Sequence, residues 1–170
     1  MNTRKLTLSA ILLAIGTLLH LIIPGIIAGM KPDFLLMTIF LAIFLNMDYK
    51  SALVVSILGG ILAAMTTTLP GGQIPNIIDK PITGLIIVSL ARIIDKGPGL
   101  NFFWVAALAF IGTLISGAMF IGIAGLVAGL PEGMTFLTMF VAIVLPTAIF
   151  TGFLTGFFYR ILKRIIDLKR

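Results

Sequence analysis

Long stretches without an acidic or basic side chain constrain this chain more than any other feature. No Asp, Glu, Lys or Arg occurs from Leu6 to Met30, from Phe34 to Met47, from Ser51 to Ile78, from Gly97 to Pro131 or from Gly133 to Tyr159. About 20 mostly apolar residues carry a helix across the hydrocarbon of a bilayer, and most of these stretches reach that length. With 59% hydrophobic and 11% charged residues, the chain has too little polar surface to cover a soluble particle, in which about a quarter of the residues are ordinarily charged. In lipid the solvent is itself apolar, and helices satisfy their backbone polar groups internally. We therefore expect an all-α integral membrane protein, one domain over residues 1–170. It is a bundle of six transmembrane helices with approximate spans 6–28, 33–47, 51–69, 82–95, 102–128 and 136–160. Arg4-Lys5 ahead of the first run has the look of a signal peptide. That run continues to about Ala28 without a small-residue cleavage site, so we read it as a retained first helix.

The charges that remain orient the bundle. Arg4, Lys5, Lys50, Arg92 and Lys96, with Arg160, Lys163, Arg164, Lys169 and Arg170, fall on one side of this threading; only Lys31 and Lys80 fall on the other. Positive residues in short loops stay on the cytoplasmic side, which places both termini there. Trp104 and Tyr159 suit that interface as aromatic anchors. The net charge of +6 thus reports orientation and points to the lipid bilayer, not to nucleic acid.

Catalytic chemistry finds little to work with. The chain has no Cys and a single histidine, His20, so thiolate sites, His-rich metal sites and a Ser–His arrangement supported by a further His are not available. No Walker A sequence is present. We expect no enzyme activity, no cofactor and no metal site. His20 reads as a packed polar residue of the first helix, and any ATP hydrolysis would fall to partner subunits.

Topology leaves Lys31 and Lys80 unexplained. Each sits beside an Asp and a Pro ahead of a short apolar span: Gly29-Met30-Lys31-Pro32-Asp33, and Asp79-Lys80-Pro81 at the end of Pro70-Gly71-Gly72-Gln73-Ile74-Pro75-Asn76-Ile77-Ile78. One account is structural: Pro and Asp suit a first helical turn, with the lysines solvated. The other is a binding site for a zwitterion. Lys31 or Lys80 would meet a carboxylate, Asp33 or Asp79 an ammonium, and Gln73 and Asn76 would add hydrogen bonds. Ionisable groups near membrane depth are costly, which favours function. A Lys–Asp pair between the clusters would also shape a cavity.

Small residues four apart mark close helix contacts: Ala10 and Ala14, Gly125 and Gly129, and Ala148, Gly152 and Gly156. Internal packing explains them, and docking onto another membrane protein is the sharper reading of Ala10 and Ala14. Pro146 removes a backbone donor and clashes with the Ala142 carbonyl, so a kink is expected in the last helix, with nearby threonines to satisfy freed groups.

The three segments Gly29-Met30-Lys31-Pro32-Asp33, Gly72-Gln73-Ile74-Pro75-Asn76 and Asp79-Lys80-Pro81 resemble the hallmark loops of the bacterial tryptophan transporter family. That family is in turn similar to the substrate-binding S components of energy-coupling factor (ECF) transporters. The resemblance implies a multi-pass protein of the bacterial cell membrane that binds tryptophan or a related small molecule. It implies partners as well, an ECF T component and ATPase subunits, with Ala10 and Ala14 as the docking contact. Gly117, Gly122 and Gly125 would then leave room for an indole, and Met30, Met65, Met119 and Phe120 would pack on it. Two rivals stay open: a solitary carrier driven by an ion gradient, and a membrane scaffold without a transported ligand.

Overall fold

The structure, a computed structural model, describes residues 3–24 and 33–167. Lys31 and Met30 lie outside the described residues. Among the described residues there are six helices and no strand: α1 (Thr3–Ile22), α2 (Phe34–Asn46), α3 (Tyr49–Thr66), α4 (Gln73–Lys96), α5 (Phe102–Val127) and α6 (136–167). Local chemistry sets their starts. The carboxylate of Asp33 accepts the Leu36 N–H at 2.8 Å, that of Asp48 the Ser51 N–H at 2.9 Å, and the amide oxygen of Asn101 the Trp104 N–H at 3.1 Å. Thr135 and Thr138 form a reciprocal capping box at the start of α6. Met47, in the left-handed conformation, ends α2 and lets the chain turn within two residues into α3.

The core is organised around the shortest helix. The 13 residues of α2 extend only about 20 Å, less than the roughly 30 Å of hydrocarbon. Yet Leu35, Leu36, Ile39, Phe40 and Ile43 are at most 1% exposed. A helix that is apolar all round belongs in an interior, and α1, α3, α4, α5 and α6 all pack around this one. Protein, not lipid, surrounds α2, so it has no need to span alone. The outer faces of its neighbours carry the opposite pattern, with Leu18, Ile93, Phe103 and Phe153 each more than half exposed. An apolar exterior of this extent is that of a membrane protein. α1, α3, α5 and α6 are long and apolar enough to cross a bilayer.

Small residues let the helices close up. A Cβ on Gly60 would lie 2.8 Å from the backbone oxygen of Asn76, and Cβ atoms on Gly152 and Gly156 would lie 2.9 and 3.0 Å from the oxygens of Ala106 and Phe102. The grooves of α3 and α6 therefore hold α4 and α5 at backbone distance. Gly129 plays no such part. It follows the end of α5 with φ +78°, a conformation only glycine adopts cheaply. Ala10 and Ala14 are exposed on α1. Tyr159, expected at the interface, is instead buried with its ring edge-on to Phe44, the centroids 6.3 Å apart.

Two elements depart from the sequence reading. The fourth helix starts at Gln73, nine residues before the expected 82. Pro75 takes the first-turn position, while Pro81 lies inside the helix, so Asp79 and Lys80 are interior helical residues and not part of a loop. A membrane helix tolerates an interior proline where neighbouring elements re-satisfy the freed backbone. In α6 the expected kink takes the form of a π turn. Segments Phe136–Met139 and Leu145–Asp167 flank a π-helical stretch, Phe140–Val144, in which the Leu145 N–H donates to the Phe140 oxygen. The turn immediately precedes Pro146, which cannot supply the next donor.

Candidate functional site

Five helices, α1, α2, α4, α5 and α6, and the residues Thr67, Thr68 and Leu69 that follow α3 line one cavity at the end of the bundle where α1, α3 and α5 finish and α2, α4 and α6 begin. It holds about 610 Å³ of empty space, its open mouth included. Its walls differ in character. Thr113, Ser116, Gly117 and Phe120 recur at the i, i+3, i+4, i+7 spacing of one helix face on α5. Gly117 and Phe120, with Ile143 and Val144 from the π turn, make an apolar wall. A Cβ on Gly117 would run into the Val144 side chain. The π turn thus fixes how closely α6 approaches α5 here.

The polar wall is formed by His20, Asp33, Asn76 and Lys80. Lys80 is 2% exposed, and its Nζ lies 2.6 Å from Asp33 Oδ2 and 3.0 Å from Asp79 Oδ2. The same ammonium reaches Ser116 Oγ at 3.3 Å, and the Ser116 hydroxyl donates to Asp79 Oδ2. One buried cation therefore ties together the start of α2, the second and third turns of α4 and the middle of α5. Asp33 does two jobs, capping α2 through Oδ1 and pairing with Lys80 through Oδ2. The Asn76 amide donates to the Gly72 oxygen at 2.8 Å. Asp79 is fully buried and its Oδ1 has no hydrogen-bond partner. A buried ion pair of this kind costs desolvation and does not by itself add stability, so its presence at a cavity wall calls for a functional reason.

The family model described as "Tryptophan transporter TrpP" matches residues 2–167. The chain belongs to the tryptophan transporter family. Three relatives are each named "Probable tryptophan transport protein". The one from Bacillus subtilis (strain 168) is 42% identical over 137 residues, covering 81% of this chain and 78% of the relative. The one from Clostridium acetobutylicum is 41% identical over 138 residues, covering 81% and 80%. That of Clostridium perfringens is 40% identical over 144 residues, covering 80% and 79%. No solved structure matches significantly.

Within this transporter fold, the residues singled out from sequence separate into three groups. Asp33, Asn76 and Lys80 come together on the cavity wall, with Asp33 and Lys80 paired between the two clusters. Asp79 stands behind Lys80 and does not line the cavity. Gln73 is exposed in the first turn of α4 and lines no part of it. Neither the cap role for Asp79 nor a solvated Lys80 fits these positions. Of the residues considered for an indole, Gly117 and Phe120 line the cavity; Met65 is 77% exposed, and Met119, Gly122 and Gly125 are not on the lining. His20, Thr113, Ser116, Ile143, Val144 and Thr147 line it without having been singled out for a site. The polar and small residues of α5 at helical spacing were the available signal for Thr113 and Ser116.

Proposed function

We propose that the protein is a membrane-embedded substrate-binding subunit for tryptophan uptake, working with an ECF T component and ATPase subunits in the bacterial cell membrane. In this reading both termini face the cytoplasm, and the cavity opens on the other side. The observation that carries it is the division of that cavity. One wall is apolar and bordered by Phe120, and the other holds a buried Asp–Lys–Asp cluster. An indole suits the first and a zwitterionic head group the second. Family membership supplies tryptophan as the ligand to test, and the 40–42% identity to proteins named as tryptophan transporters supports it. In this proposal Asp33, Asn76 and Lys80 form the polar end and Asp79 acts through Lys80, while Lys31 and Gln73 are assigned to the same site from the sequence alone.

Docking on the T component is assigned to the exposed face of α1 bearing Ala10 and Ala14, small residues that admit a second helix closely. Titration of the purified protein with tryptophan should give saturable binding, and uptake in cells should require the coupling module. Ala10→Leu or Ala14→Leu should leave binding intact and abolish uptake. Uptake by vesicles that contain this chain without any ATPase would instead establish the solitary carrier. That rival draws on the buried, half-satisfied carboxylate of Asp79 inside a membrane helix.

A further inference from the structure

Among the described residues, Lys80 is the only cation on the lining besides His20, which would make it the obvious partner for a ligand carboxylate. Its hydrogen bonds argue otherwise. An ammonium has three N–H donors, and those of Lys80 have three acceptors within reach: Asp33 Oδ2 at 2.6 Å, Asp79 Oδ2 at 3.0 Å and Ser116 Oγ at 3.3 Å. It has no donor left for a ligand. With both carboxylates ionised and His20 neutral, the formal charges of Asp33, Asp79 and Lys80 add to one surplus negative charge. Asp79 is fully buried and off the lining, whereas the Asp33 side chain keeps 19% exposure on the cavity wall. A carboxylate accepts about four hydrogen bonds. Asp33 has one to the Leu36 N–H and one to Lys80, with His20 close enough to act on it electrostatically, so the carboxylate that faces the cavity keeps acceptor capacity for a further donor.

We propose that the cavity selects its ligand by a primary ammonium seated on Asp33, with Lys80 serving as the internal counterion of two carboxylates and not as a carboxylate clamp. The ligand class is then the aromatic amine. Tryptophan fits it, and so does tryptamine, which lacks the carboxylate. Indole-3-propionate, which lacks the amine, does not. Bringing that acid in would add a second surplus negative charge to a site already one in excess, with low-dielectric walls that magnify the repulsion. The inference rests on the cavity being the tryptophan site.

The test is displacement of labelled tryptophan from the purified full-length protein by tryptophan, tryptamine and indole-3-propionate. Tryptamine should compete within about tenfold of tryptophan, and indole-3-propionate should be weaker by about 100-fold or more, the size expected when a buried charge pair is lost. Asp33→Asn keeps a good helix cap and an acceptor for Lys80. It should weaken both amines by about 100-fold with little change in melting temperature. Equal competition by indole-3-propionate and tryptamine overturns the inference, as does an Asp33→Asn protein that melts normally and binds tryptophan unchanged. The wild-type ranking decides the matter if that variant fails to fold. A wild-type protein that binds no labelled tryptophan overturns the transporter-site reading itself, whereas tryptophan binding with the wrong ranking overturns the amine rule alone.

Discussion

Replacing Lys80 with Met tests the charge arrangement most directly. Met has a similar length and no charge, so the core volume is nearly kept. What changes is electrostatic. The oxygens that shared the ammonium, at 2.6 and 3.0 Å from it, lie less than about 6 Å from each other, where two like charges repel by about 3 kcal/mol at an effective dielectric constant near 20. Asp79, fully buried, would be left with only the Ser116 hydroxyl beside it and would have to take up a proton or bear an unpaired charge. Breaking a buried pair from one side costs about 3–5 kcal/mol, and the repulsion is part of that figure. At about 2–4 °C per kcal/mol for a chain of this size, Lys80→Met should lower the melting temperature in detergent by about 10 °C.

The same reasoning predicts rescue. Adding Asp33→Asn and Asp79→Asn to Lys80→Met removes all three charges and keeps a side-chain cap on α2. Neutral replacement of a buried ionic cluster is often without cost, so the triple variant should recover most of the lost stability while losing tryptophan binding. A single variant that melts within about 2 °C of the parent would refute the claim that Lys80 holds two ionised carboxylates. A triple variant no more stable than the single would refute the electrostatic origin of the loss and point to packing.

Three further changes probe the walls. Gly60→Val introduces a Cβ that would meet the Asn76 backbone oxygen at 2.8 Å; forcing α3 from α4 should cost about 1–3 kcal/mol, read as a lower melting temperature. Gly117→Val collides with Val144 and should narrow the apolar wall, reducing tryptophan affinity by about tenfold or more in a titration while binding of a smaller aromatic amine such as phenethylamine falls less. Pro146→Ala restores a backbone donor, lets the π turn relax toward α-helix and should change stability by less than about 1 kcal/mol. Because relaxation rotates Ile143 and Val144 out of register with α5, tryptophan affinity should still fall; unchanged affinity would show that the π turn does not set the wall.

Much of the fold was legible because it follows from charge-free runs. The spans expected at 33–47, 51–69 and 102–128 match α2, α3 and α5 within a few residues, since apolar length and cap residues such as Asp33, Asp48 and Asn101 act locally. The start of α4 was not legible. Two glycines and three prolines between Pro70 and Pro81 read as a loop, and only tertiary contact, with α3 meeting Asn76 at Gly60, shows why the helix begins at Gln73. The same error put Asp79 and Lys80 at a loop surface when they are among the most buried residues of the chain. The pairing of Asp33 with Lys80 was legible as one option, because both clusters fall at the same end of an up-and-down bundle. The third acceptor of Lys80, Ser116, was not, since a single serine in an apolar helix gives no sign of which residue it will face.

The position of Asp33 joins the core and the site in a single residue. Its Oδ1 starts α2, the helix around which the others pack, and its Oδ2 holds Lys80 at the cavity wall. A ligand ammonium arriving at Asp33 would therefore act on the first turn of the central helix and on the ion pair joining it to α4. Binding free energy can shift a conformational equilibrium only through groups that differ between states, and Asp33 sits where such a difference would be felt by α2, α4 and α5 together. On this argument the cap that starts α2 and the response to ligand run through the same side chain. Asp33→Asn should leave the cap intact and still weaken whatever structural change ligand binding produces.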